Sequence, residues 1–286
     1  MTKNKYCDLH THSIFSDGTS TTTEIITTAE KQGLSAVALC DHNTTDGLTE
    51  FLHTAENSSV LAIAGAEFSV DYMGTELHLL GLFLPEDAFA PISKLMNSAK
   101  QRKENSNIEL IHALKKADIH LNYDEIKKRT PNGLVNRSHI AEEMVKKGYI
   151  SSIAEGFETY LSKNSFFYKK PKRISVFEMI EIIKNFGGAP VLAHPLLNLN
   201  EEQLIKFLPK AKVCGLIGME CYYSTYTNEE TSLCLDLIEK FALLPSGGSD
   251  FHGYKKLDIN LGVGKGNLKI PFEWALSIKN QINFSK

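Results

Sequence analysis

Short apolar runs alternate with amphipathic stretches along most of this chain. Tyr6–Leu9 is apolar and extended, and Ser20 with Thr21–Thr23 then offers helix caps before Glu24–Gln32, which Gly33 closes. Ser35–Leu39 predicts a buried strand, Asp46–Glu56 a helix and Val60–Ala64 a third strand. Glu67–Leu84 predicts a hairpin around Met73-Gly74, ending before Pro85. From about Pro91 to Lys163 the pattern changes to a charged, helix-periodic stretch without a convincing strand, as in Ile108-Glu109-Leu110-Ile111-His112-Ala113-Leu114. Alternation then resumes with helices at Ser175–Asn185, Glu201–Leu208 and Asn228–Phe241, and strands at Pro190–Ala193, Leu216–Tyr222 and Ala242–Pro245. Repeated β-α units of this kind build parallel sheets or barrels. The pattern therefore predicts an α/β domain, with a parallel sheet or a barrel, formed by residues 1–90 and 164–286, with residues 91–163 as an inserted helical cap domain.

Composition adds bounds. With 286 residues and 42% hydrophobic content, the chain can bury one large core, or one core and a small appendage. It has no apolar run long enough to span a bilayer, and Met1-Thr2-Lys3-Asn4-Lys5 leads into the first strand without an apolar signal region. The expectation is a cytoplasmic protein with no membrane association and no obligatory protein partner. Five cysteines without a Cys-x-x-Cys pair argue against a disulfide framework or a zinc knuckle. Cys7, Cys40 and Cys221 sit in apolar strands, where a thiol serves as a small hydrophobe. The net charge of −3 conceals an asymmetry, because residues 94–173 carry an excess of +8 and the remainder −11. A basic block within an acidic chain points to an anionic partner, or to a solvated lysine-rich face.

The chemistry concentrates where strands end. His10 and His12 stand two residues apart, so on a strand both rings face one side. A second such pair, Asp250 and His252, follows an apolar stretch and a glycine turn near the other end of the chain. Between the pairs lie Ser16-Asp17-Gly18, Asp41-His42, Gly65-Ala66-Glu67, Glu76-Leu77-His78 and Ala193-His194-Pro195. Barrel enzymes build their active sites at the C-terminal ends of strands, where several of these residues fall. Imidazoles and carboxylates without thiolates suit Mn²⁺, Fe²⁺ or Zn²⁺. Clustered divalent cations are typical of phosphoester hydrolysis, in which they lower the pKa of a bound water and clamp the attacking and leaving oxygens. Two or three such ions are expected, leaving a cationic pocket that attracts phosphate. No Gly-x-Ser-x-Gly elbow or Cys-His pairing supports a rival nucleophile, and the glycines at 262–266 predict a closing turn rather than a phosphate loop.

Taken in order, Asp8-Leu9-His10-Thr11-His12, Ser16-Asp17-Gly18, Asp41-His42, Gly65-Ala66-Glu67, His78, Ala193-His194-Pro195 and Ser249-Asp250-Phe251-His252 resemble the successive motifs of the PHP (polymerase and histidinol phosphatase) family. Asn136-Arg137-Ser138-His139-Ile140-Ala141 and Gly218-Met219-Glu220-Cys221-Tyr222-Tyr223 resemble its stand-alone nucleotide phosphatases and 5′-to-3′ exoribonucleases. The resemblance implies a distorted (β/α)7 barrel with a trinuclear metal centre. Carried over by motif, His10, His12, Glu67 and Asp250 would hold one ion. Glu67 would bridge to a second ion bound by His78 and His194, and Asp17, His42 and His252 would hold the third.

The expected function is metal-dependent hydrolysis of AMP or 3′,5′-bisphosphonucleotides, or release of 5′ nucleotides from short RNA. Histidinol phosphate phosphatase and a non-catalytic metal-binding PHP module are the alternatives. Glu67, Asp17, Arg137 and His139 are the expected catalytic groups, and Arg137, His139 and Tyr223 the substrate-binding ones. Arg137 is planar and bidentate toward phosphate, His139 would bond a phosphate oxygen or act as an acid, and Tyr223 would lie at the mouth where a base stacks. Asp41 could fix the tautomer of a neighbouring imidazole, and Asp8 could bond backbone amides. His53, His112 and His120 read as surface or packing histidines, and Lys163, Lys169, Lys170, Lys172 and Arg173 as a basic rim or a solvated loop.

Overall fold

In the computed structural model, which describes residues 5–130, 135–162, 164–171 and 173–284, the chain divides into two units, Met1–Met96 with Ile174–Lys286, and Asn97–Arg173. Lys163 and Lys172 of the expected basic rim lie outside the described residues. In chain order the elements are β1 (Tyr6–Thr11), α1 (Thr22–Lys31), β2 (Ala36–Leu39), α2 (Leu48–Thr54), β3 (Leu61–Tyr72), β4 (Thr75–Leu82) and α3 (Phe89–Leu114). Next come α4 (Tyr123–Arg129), α5 (Arg137–Lys146), the short α6 (Ile153–Gly156), α7 (Val176–Asn185), β5 (Ala189–Leu192) and α8 (Glu201–Cys214). The chain finishes with β6 (Gly218–Tyr223), α9 (Asn228–Phe241), β7 (Leu244–Gly248), β8 (Ile270–Pro271) and α10 (Phe272–Phe284).

The first unit is a distorted (β/α)7 barrel. Its strands follow the order β7-β6-β5-β4-β3-β2-β1-β8. Neighbours pair in parallel except at β4, which is antiparallel to both β3 and β5, and at β8, which is antiparallel to β1. The sheet closes beyond β7, where Asp250 N–H donates to the His10 carbonyl and His12 N–H to the Phe251 carbonyl, both at 2.9 Å. Gly248 makes that closure possible, because a Cβ there would sit 2.1 Å from the His10 Cβ. One apolar layer joins the sheet to α1, α2, α7, α8 and α9 through residues such as Ile25, Phe51, Phe68, Ile180, Phe207 and Leu237. A second joins Cys7, Leu9, Ile63, Leu80 and Val191 to Ala275 and Ile278 of α10. Both bury large aliphatic and aromatic surfaces, the dominant favourable term in folding.

Local signals explain most of the elements. Thr21 and Glu24 form a capping box on α1, Asn200 and Gln203 on α8, and Thr227 and Glu230 on α9. Met73 and Gly74, both at positive φ, turn the β3–β4 hairpin. Three expectations change. β3 is one continuous strand from Leu61 to Tyr72, because its second half pairs along the whole of β4. α8 runs through Pro209 to Cys214, since burial of Leu204, Phe207, Leu208 and Ala211 outweighs one lost backbone bond. β8 and α10 were not anticipated, and α10 is set by Ala275 and Ile278 packing beside β1 and β5 residues.

The second unit is helical, with no strand among its described residues. Leu110, Ile111 and Leu114 of α3 pack with Ile126 of α4, Ile140 and Met144 of α5, and Leu161 in a core of their own.

Candidate metal centre

Glu67 lies fully buried in the middle of β3, and the other eight expected ligands gather with it in four overlapping groups. These are His12, Asp17, His42 and His252; His10, Glu67 and His194; His10, His12 and Asp250; and His42, Glu67 and His78. Within each group the candidate donor atoms lie within 4.8 Å of one another. The two Glu67 oxygens serve different imidazoles. Oε1 lies 2.8 Å from His78 Nδ1 and 2.9 Å from His194 Nε2. Oε2 lies 2.9 Å from His42 Nδ1, 3.3 Å from His10 Nε2 and 3.4 Å from His12 Nε2. Asp250 Oδ1 sits 3.2 Å from His12 Nε2, and Asp17 Oδ1 sits 3.3 Å from His252 Nε2.

The backbone is shaped to deliver these groups. Strand alternation keeps Leu9 in the apolar layer with Cys7 and turns His10 to Glu67, and β1 carries one extra residue against β2 between Asp8 and Thr11. Bulges of this kind are common next to active sites. Antiparallel pairing sets His78 opposite Ser69, diagonal to Glu67 on one face. His194 (φ 25°) and Asp250 (φ 56°) both occupy the left-handed region, a local strain that only a well-determined surrounding structure sustains.

The electrostatics favour a bound cation. Burial would lower the His10 pKa, but Glu220, Glu67 and Asp250 hold it well above the ordinary imidazole value. Burial lowers His12 to about 3, which leaves a neutral ring. Burial opposes ionisation of Glu67, Asp17 and Asp250, yet the surrounding histidines hold all three carboxyls below the usual range. His10 Nε2, both ring nitrogens of His12, Glu67 Oε2 and His78 Nδ1 are buried without a hydrogen-bond partner. Five such atoms in one place would be costly, and divalent ions would satisfy them with a donor set they favour. The residues fit such ions.

Several polar groups hold this cluster in shape. Asp8 accepts from the backbone N–H of His10, Ser249 and Gly262 and from the Ser249 hydroxyl, so it ties β1 to the segment after β7. Asp41 does not orient an imidazole: it accepts from Ser13 N–H and from the Ser13 and Ser16 hydroxyls, and so braces the loop that carries Asp17. Burial raises the pKa of both carboxyls against these hydrogen bonds. His252 Nδ1 donates to the Asp250 carbonyl at 2.8 Å, which leaves Nε2 for Asp17.

Tyr223 is not a stacking surface at the mouth. It is 7% exposed, and its hydroxyl donates to Asp250 Oδ2 at 2.7 Å. An extra residue in β6 between Glu220 and Tyr222 breaks the alternation that would have exposed it. Two further groups escaped the sequence reading. Lys256 Nζ lies 2.6 Å from Asp250 Oδ2, and nothing in its loop signalled that role. Glu220 is fully buried, and its carboxylate between Met219 and Cys221 in an apolar strand was the available signal.

Arg137 and His139 belong to the second unit. Arg137 donates to the Leu161 carbonyl at 2.6 Å, and its guanidinium lies over the Tyr168 and Phe157 rings at 4.4 and 5.5 Å. His139 completes the capping box of α5, its Nδ1 accepting from Asn136 N–H at 3.2 Å. His53 is exposed and pairs with Glu56, and His112 and His120 are exposed.

Comparison with known proteins places these features in context. The family model described as PHP domain matches residues 8–172. A 5′-3′ exoribonuclease of Haemophilus influenzae is 33% identical over 92% of this chain and 96% of its own length. A phosphoribosyl 1,2-cyclic phosphate 1,2-diphosphodiesterase of Eggerthella lenta is 27% identical over 86% of this chain and 94% of its own. Among solved structures, one described as a metal-dependent phosphoesterase of Bifidobacterium adolescentis superposes with a TM-score of 0.68 at 26% identity, covering 96% of this chain and 95% of that one. No helix among the described residues is long and apolar enough to cross a membrane.

Proposed function

The chain belongs to the PHP domain family and is a metal-dependent phosphoesterase, and from this premise we propose that it hydrolyses phosphate esters of nucleotides or releases 5′ nucleotides from short RNA. The observation that carries the reading is Glu67, whose two oxygens face separate sets of imidazoles and so suit a carboxylate that bridges two cations. In this reading, which divides the ligands as the motif resemblance implies, His10, His12, Glu67 and Asp250 hold one ion, Glu67, His78 and His194 a second, and Asp17, His42 and His252 a third. Manganese, iron or zinc would suit these donors. When bound, such ions supply Lewis acidity to a phosphoryl oxygen and lower the pKa of a bound water.

The protein's own groups do the rest. Tyr223 O–H and the Lys256 ammonium occupy Asp250 Oδ2, which leaves Oδ1 directed at His12. Arg137 presents a guanidinium whose plane two aromatic rings and the Leu161 carbonyl already fix, ready for a phosphate. Because His139 Nδ1 accepts a hydrogen bond, its Nε2 carries the proton and can donate to a phosphate oxygen. The basic balance of residues 94–173 suits a polyanionic substrate. The names of the relatives, an exoribonuclease and a phosphoribosyl 1,2-cyclic phosphate 1,2-diphosphodiesterase, support a ribose-linked phosphate as the substrate class.

The test is elemental analysis of protein purified without chelator, followed by Mn²⁺ reconstitution. Phosphate or nucleotide release is then assayed on AMP, a 3′,5′-bisphosphonucleotide, 5′-phosphorylated oligoribonucleotides, a ribosyl 1,2-cyclic phosphate and histidinol phosphate. Two or three ions per chain and the fastest turnover on a nucleotide or oligoribonucleotide are expected. Less than one ion after reconstitution, or a preference for histidinol phosphate, would sink the reading.

Arg137→Ala is expected to weaken transition-state stabilisation by about 2–4 kcal/mol, the range for losing one preorganised charge-stabilising donor. Metal content should not change, because Arg137 belongs to none of the metal-holding groups. Steady-state kinetics on each active substrate provides the check, and full activity throughout would leave Arg137 as a brace for Leu161 and Tyr168.

A further inference from the structure

We propose that Glu220 is a positioning residue that selects the tautomer of His10 and fixes the backbone of His194, so that one carboxylate sets two ligands of the metal cluster. The proposal rests on the metal-holding reading of His10 and His194 given above. Glu220 touches neither substrate nor reacting atoms. It is fully buried in β6, where its Oε1 lies 3.0 Å from His10 Nδ1 and its Oε2 accepts the His194 backbone N–H at 2.7 Å. It thus ties β6 to β1 and to the end of β5, with the His10 and His194 rings stacked 5.7 Å apart.

The tautomer argument is chemical. A neutral imidazole has one N–H and one lone pair, and an ionised carboxylate only accepts hydrogen bonds. Facing Glu220, His10 must carry its proton on Nδ1, and the lone pair then sits on Nε2. That nitrogen has no hydrogen-bond partner and lies 3.3 Å from Glu67 Oε2 and 3.7 Å from Asp250 Oδ1. His252 is set the same way by a backbone carbonyl. A carboxylate behind His10 does more, because it also raises the basicity of the ligating nitrogen. The bond to His194 has its own purpose. His194 sits at φ 25°, where few side chains are comfortable, and the Oε2 contact holds its N–H in that conformation.

Glu220→Gln separates the two bonds while keeping the size of the side chain. With its oxygen toward His10, the amide sets its NH₂ against the His194 N–H. Turned over, it satisfies His194 but forces His10 Nδ1 to accept, which moves the ring proton to Nε2 and into the cluster. Zn²⁺ serves as the diamagnetic probe, its affinity read by competition with a chelating indicator, with circular dichroism recording the fold of each protein. The expected result is a ~10–100-fold loss of Zn²⁺ affinity, the range for removing a group that orients a metal ligand.

The wild-type protein carries an independent arm. In the Zn²⁺-loaded, histidine-¹⁵N-labelled chain, His10 should show a protonated Nδ1 and a metal-shifted Nε2, a signature that general stability does not move. This spectrum decides the matter if Glu220→Gln does not fold. A folded variant with wild-type Zn²⁺ affinity, or a loaded wild-type His10 with its proton on Nε2, would overturn the role of Glu220 alone. A wild-type protein that binds no Zn²⁺ would overturn the metal-holding reading and this inference with it.

Discussion

A Glu67→Gln variant is expected to lose ~10³-fold or more in kcat/KM and at least one metal ion per chain while the barrel stays folded, since even one preorganised charge-stabilising donor is worth ~10²–10³ in rate. Gln keeps the size and one acceptor oxygen but removes the charge. The oxygens cannot stand in for each other, because Oε1 faces His78 and His194 while Oε2 faces His42, His10 and His12. Whichever way the amide turns, one set of imidazoles meets an NH₂ in place of an anionic oxygen. Cations sharing that oxygen would then lose a common ligand, and with it the combined effect on the acidity of a bound water. Folding should survive, because the apolar layers around Leu9, Ile63, Phe68 and Phe207 do not depend on the cluster as a zinc finger depends on its ion. Circular dichroism, elemental analysis and phosphate release on one preparation test all three parts. Wild-type turnover in a folded variant would refute the bridging role, and an unfolded variant would make the ions structural.

Asp8→Ala is expected to be the most damaging change for stability, lowering the unfolding free energy by about 3–5 kcal/mol, since each buried donor left without a partner costs about 1–3 kcal/mol. Asp8 is fully buried and receives four hydrogen bonds. The strongest come from Ser249 N–H at 2.8 Å and Gly262 N–H at 2.7 Å, on segments that meet β1 where the barrel closes. Alanine would leave those donors facing one another across a small void. The cost should appear as a lower urea midpoint with an unchanged slope. Asp8→Asn should fall between the two proteins, because its single amide oxygen still accepts from one backbone N–H while its NH₂ meets the other. A loss below about 1 kcal/mol would mean that water or a backbone shift satisfies the freed groups, contrary to the range for a buried unpaired donor.

The two predictions differ in how far the sequence foretold them. The i,i+2 spacing of His10 and His12, and of Asp250 and His252, was legible because strand periodicity maps spacing onto direction without tertiary information. Helices with strong caps were legible for the same local reason, and α9 runs from Asn228 to Phe241 as its Thr227–Glu230 capping box requires. Glu67, His78 and His194 were legible as chemistry shared among several motifs, but the expected strand-end placement fails for two of them: Glu67 lies midway along β3 and His78 within β4, because β3 continues as far as it pairs with β4.

Other features depended on partners far away in the chain. The sequence offered Asp8 as a carboxylate that bonds backbone amides, but not which ones, because Ser249 and Gly262 lie more than two hundred positions on. Tyr223 took its place from an extra residue in β6 that no local signal marks, because a bulge is defined against the paired strand. α8 passes Pro209 because burial of its apolar face exceeds the cost of one missing backbone bond. The sequence by itself determined the ligand types and the alternation of strands and helices, both of which follow from bonding over a few residues. Only the tertiary structure decided which imidazoles share an oxygen of Glu67 and which carboxylates brace rather than bind. Those assignments are set by distances across the sheet, where strand register, bulges and the closure of β1 beyond β7 bring remote residues within hydrogen-bond reach.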